Sequence, residues 1–220
     1  MGYTKTDHAL IVIKSALNAV PVVGGSIASL IGDYMPLSTQ RSIERTTDLL
    51  SQRLATFEGR LDTDAVDKDE FAELFKSCYL VVVRTNQETK LRAAAAILAN
   101  LLLKPGDPEK ASYTELDHLV RCLEALSVGA MAALGAAKQL VSKQKVQPDN
   151  EGNYRITFEQ LRSELPDMEP SLVMGLVGEL NSYNLLRIAG QPSIRTAHYG
   201  NHPLELTPLG LRFVERYIGK

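Results

Sequence analysis

The residues able to do chemistry in this 220-residue chain are few and scattered. His198 and His202 stand four residues apart, a spacing found in metal sites. Zinc, however, takes three or four ligands, and no cysteine lies near them. Gly24-Gly25 could suggest a phosphate loop, but no Lys-Ser or Lys-Thr follows and no strand precedes. His8 and His118 fall on predicted helices with no Ser or Cys nucleophile at a spacing that would pair with them. Asp62, Asp64 and Asp67 form an acidic run without the apolar surroundings that would shift one carboxyl toward acid-base work. The expectation is a non-enzyme with no catalytic residue, cofactor or metal.

Composition narrows the setting. The formal net charge is -2, which removes the overall basic footprint of a nucleic-acid binder and leaves only a local patch to do that work. Cys78 and Cys122 are the only cysteines, each within an apolar or amphipathic run. They read as buried thiols in a reducing compartment, so the expected location is cytoplasmic. The start, "MGYTKTDHALIVIKSAL", has neither the basic region and cleavage pattern of a secretory signal nor a persuasive lipidation motif.

Helical periodicity fills the first two thirds. A helix over Asp7 to Val20 is expected to stop at Pro21, and a short one to run from Ser26 to Tyr34 after the glycine pair. From Ser38 a longer helix carries Ile43, Thr47, Leu50, Leu54, Phe57 and Leu61, a heptad seam about three repeats long. Arg41, Arg45, Asp48, Arg53 and Arg60 form its solvated side. The next helix, Lys68 to Thr85, is apolar nearly all round and is expected to be central. "KLRAAAAILANLLLK" has high helix propensity and "KPGDPEK" ends it. Ser112 and Glu115 have capping-box spacing, which predicts one long helix from 112 to 143.

"VSKQKVQPDNEGNY" reads as a linker, dividing a helical bundle over 1–147 from a smaller domain over 148–220, with the 112–143 helix available as the latter's first element. Thr157 and Gln160 form a second capping box. Pro170 opens a helix with Leu172, Val173, Leu176, Val177 and Leu180 expected on its buried face. Then come "LLRIA" as a strand, "GQPSIRTAHYGNHP" as a loop or ribbon, "LEL" as a returning strand, and Thr207-Pro208 capping a last helix.

Helix, helix, "LLRIAG", ribbon, "LELTPLG" and "LTPLGLRFVERYI" together resemble a winged helix-turn-helix domain over the last third of the chain. The fold class is therefore mainly α, an N-terminal helical bundle followed by a C-terminal winged helix. The resemblance implies that the helix over 170–184 would enter a major groove, presenting Arg, Lys, Asn or Gln. Its outward residues read instead as Ser171, Met174, Gly175, Gly178, Glu179 and Ser182, with no Lys or Arg between Pro170 and Leu186. Asn181 and Asn184 could reach a base, but Glu179 would repel phosphates. Met174, Gly175, Gly178 and Glu179, with Arg195 in the ribbon, are the candidate contact residues for a protein partner or a second copy of the chain.

Ser15 to Gly32 contains no ionisable side chain. As one helix it would extend about 27 Å, slightly short of a hydrocarbon core. Gly24, Ala28 and Gly32 repeat at the spacing that lets helices approach closely, in a water-soluble bundle or in lipid. The leading expectation is an interaction or assembly protein using a winged-helix module for protein contacts or self-association. The alternatives are a membrane-active effector whose glycine-rich segment inserts when released, and a DNA-binding transcriptional regulator.

Overall fold

The computed structural model describes residues 37–57, 59–62, 67–190 and 199–219. The expected helices over Asp7 to Val20 and Ser26 to Tyr34 lie outside the described residues, as do Gly24, Ala28, Gly32, Arg195 and His198. The chain divides into two compact units, Met1–Glu124 and Ala125–Lys220. It is mainly helical, with a small three-stranded sheet.

The first unit contains α1 (Leu37–Thr56), α2 (Lys68–Arg84), α3 (Glu88–Leu101) and α4 (Tyr113–Ala125). Asp67 caps α2, its carboxylate accepting the backbone N–H groups of Asp69 and Glu70 at 2.9 and 3.0 Å. The central helix is α3, not the expected Lys68 to Thr85 segment. Every residue from Ala93 to Leu101 is buried, whereas Leu80 of α2 is exposed. The reason is size: alanine on several faces lets α1 and α2 approach closely, which the bulkier α2 does not permit. Asn100, buried among these apolar groups, donates to Glu109 O at 2.8 Å and accepts from Ala111 N at 2.9 Å, so the loop after α3 satisfies it.

The heptad seam points inward. Leu50, Leu54, Phe57 and Leu61 are buried, and α1 stops at Thr56, so the last two lie beyond it, with Leu61 bridged to Leu103. The seam is thereby part of this unit's core, and its lower half is not free for self-association. Around it the arginines are engaged: Arg45 pairs with Glu88, Arg60 with Asp107 at 2.7 Å, and Arg53 and Arg60 both stack on Phe57.

The predicted single helix from 112 to 143 is two. It breaks at Leu126 and restarts as α5 (Val128–Gln144), with Ser127 capping the new helix by accepting Ala130 N–H. By periodicity Ser127 falls in the interior of the expected 112–143 helix, a position where its hydroxyl competes with the backbone. The helix extends to Gln144, so the first residues of the expected linker are helical.

The second unit contains α5, β1 (Tyr154–Thr157), α6 (Phe158–Ser163), α7 (Pro170–Ser182), β2 (Leu186–Ile188), β3 (Pro203–Leu206) and α8 (Pro208–Phe213), which continues as a π-helical turn over Val214–Ile218. Both capping signals form: Thr157 and Gln160 bond reciprocally, and Thr207 accepts Gly210 N–H. β1 was not anticipated, because four residues are too short for alternation to register. The antiparallel sheet has the order β1-β3-β2, with Leu204 and Leu206 of the middle strand buried over the helices. Close approach is required at Gly210, where a Cβ would collide with the Leu185 carbonyl oxygen.

Candidate interaction face

Helix α7 positions the candidate residues. Pro170 opens it with a preset φ, and Val173, Leu176, Val177 and Leu180 bury one stripe. Each such side chain contributes roughly 1.5–3 kcal/mol, which fixes the rotation of the helix about its axis. The leucine at 172 does not join them. It is 52% exposed, the most exposed large apolar side chain among the described residues, because the stripe runs through 173, 176, 177 and 180 and turns 172 outward.

The outward surface is therefore Ser171, Leu172, Met174, Gly175, Gly178 and Ser182, with Met174 half-buried. A Cβ at Gly175 or Gly178 would meet no described atom within 4 Å, so these glycines do not serve close packing. Gly129 differs, since its added Cβ would touch Leu176 at 3.1 Å where α5 passes α7.

Three polar side chains of α7 bond to backbone groups of the same unit. Glu179 accepts Ser127 N–H at 2.9 Å and the Ser127 hydroxyl at 3.2 Å, placing a carboxylate at the N-terminus of α5, where the helix dipole favours it. Asn181 Oδ1 accepts Ile188 N–H at 3.0 Å, and Ser182 Oγ donates to Gly178 O at 3.0 Å. Glu179 and Asn181, a candidate contact residue and a candidate base reader, thus brace α5 and β2. Sequence gave no sign of this, because their partners are distant along the chain.

The sheet treats its basic groups similarly. Register places Arg155 and Arg187 on either side of Glu205, which accepts from each at 3.0 Å, and Glu151 lies 3.5 Å from Arg187. The row pairs two guanidiniums with two carboxylates and presents no net positive strip.

A cysteine and a histidine also come together here. Cys122 Sγ lies 3.5 Å from His118 Nε2, one helical turn away, correcting the expectation that His118 has no nucleophile at pairing distance. Burial pushes the Cys122 thiol up to about 12, and burial also raises that of Cys78, so both remain protonated near neutral pH and neither is an activated thiolate. His202 is half-buried, and His198 lies outside the described residues. Among the described residues no three His, Cys, Asp or Glu side chains group to hold a metal ion, and no helix is long and apolar enough to cross a membrane. Comparison with protein-family models, curated proteins and solved structures finds no match for this chain.

Proposed function

We propose that this chain is an interaction or assembly protein whose second unit is a winged helix that uses the outward face of α7 for protein contact, with a second copy of the chain as the partner to test first. The order helix, strand, helix, helix, strand, strand, helix and the sheet order β1-β3-β2 support the winged-helix reading. The observation that carries the functional reading is Leu172, bared on a face that has no Lys or Arg and whose glycines leave room for close approach. DNA readout is less well supported, because Asn181 and Glu179 are engaged internally and Arg155 and Arg187 are paired.

Light scattering of the wild type and of Leu172→Glu and Met174→Glu over a hundredfold dilution tests this. The expected result is an assembly in the wild type and monomers in both variants. Monomers throughout, together with salt-dependent binding to duplex DNA at low ionic strength, would replace the proposal with the regulator reading.

A further inference from the structure

The small sheet has two outer strands, and each presents backbone groups away from β3. Phe158 N–H bonds to His202 O on one side of the middle strand, while Ala189 N–H bonds to Pro203 O and Thr207 N–H to Leu185 O on the other. These bonds and the register direct the N–H and C=O groups of Arg155 and Thr157 in β1, and of Leu186 and Ile188 in β2, outward. Such a row is a template on which another chain can add a strand. A side-chain amide interrupts it at each edge: Gln160 Oε1 accepts Thr157 N–H at 2.7 Å, and Asn181 Oδ1 accepts Ile188 N–H at 3.0 Å.

The edges differ in what else guards them. If β1 met β1 of a second copy in a two-fold antiparallel pair centred on Arg155, two guanidiniums would stand opposite each other, an unfavourable pairing. Centring the pair on Ile156 would need Thr157 N–H, which Gln160 holds as part of its capping box. On β2, a pair centred on Ile188 uses the Ile188 N–H of both copies and sets Arg187 opposite Ala189 rather than opposite its counterpart. What blocks this pair is Asn181, which stands at an exposed position of α7 and makes a bond that caps no helix. We propose that Asn181 closes the β2 edge to strand addition by a second copy of this chain, so that association has to use another surface. This holds whether or not the outward face of α7 carries a partner.

Residue-resolved amide hydrogen exchange in the full chain tests it, on three proteins that all carry Leu172→Glu to remove the apolar anchor of the α7 contact. The first has no other change, the second adds Asn181→Ala, and the third adds Asn181→Asp, which keeps an acceptor oxygen in the same place. In dilute solution the Ile188 amide should exchange about tenfold faster with Asn181→Ala than in the parent, because its acceptor is gone. Over an increase of about a hundredfold in protein concentration, the Leu186 and Ile188 amides should then slow in the Asn181→Ala protein alone. An Asn181→Ala protein whose two amides respond to concentration no differently from the parent's would overturn the proposal. So would an Asn181→Asp protein that behaves like Asn181→Ala, since the acceptor would then not be what closes the edge.

Discussion

Helices α3 and α7 are both rich in small residues, yet the fold uses them in opposite ways. In α3 the small residues are alanines, buried from Ala93 to Leu101, and neighbouring helices fill the space around them. In α7 they are Gly175 and Gly178, with open space where a side chain would stand, beside an exposed Leu172. Composition alone does not separate a helix meant for the interior from one meant for a partner. What separates them is where the polar groups go. Asn100 of α3 meets backbone groups of the following loop, while Glu179 and Asn181 of α7 bond to Ser127 at the start of α5 and to Ile188 of β2, and Leu172 and the glycines are left facing out.

The largest effect should come from breaking the interior of the first kind of helix. Ile97, fully buried in α3, should cost about 3 kcal/mol when changed to alanine, since the surrounding helices relax only partly into the cavity. Urea unfolding measures this directly. Gly210→Ala tests the second unit's own close approach. Alanine gains up to about 1 kcal/mol of helix propensity, but its Cβ meets the Leu185 backbone, and that carbonyl is held by Thr207 N–H at 3.2 Å. The clash wins, with a net loss of about 2 kcal/mol expected in the same assay. Glu179→Gln keeps the shape of the brace on α5 and removes its charge. A loss of about 1 kcal/mol is expected, without change in assembly if α7 docks through its apolar face.

A smaller, pH-dependent effect sits at the turn before β1. Asp149 accepts the backbone N–H groups of Asn153 and Glu151, both at 2.9 Å, and the bond from Asn153 is the main cause holding its carboxyl below the ordinary aspartate range. A depressed folded value means that the stabilisation is complete above the unfolded value near 3.9 and is lost as pH falls through the folded one. Below pH 4 the wild type should therefore lose stability on acidification more steeply than Asp149→Asn, as read from urea midpoints across a pH series.

Much of this framework was legible in the residues, because the signals were local. The Thr157–Gln160 box, Thr207-Pro208 and the strands around "LRI" and "LEL" each depend on neighbours within a few positions. The errors arose where the deciding contact was distant. Leu172 belonged to the buried stripe by periodicity, and only the packing of Val173 and Leu176 turned it outward. Ser127 resembled helix interior until its hydroxyl and backbone met Glu179, far along the chain. The central position of α3 over α2 depended on how closely helices can approach alanine, which hydrophobic periodicity does not encode.

Amide hydrogen exchange of the wild-type chain at low and high protein concentration tests the central claim most directly, because it reads α7 without any substitution. The account predicts that peptides covering Pro170 to Ser182 exchange more slowly at high concentration while those covering Ala93 to Leu101 do not change. Exchange in α7 that is independent of concentration, in a sample whose mass shows assembly, would place the contact elsewhere and contradict it.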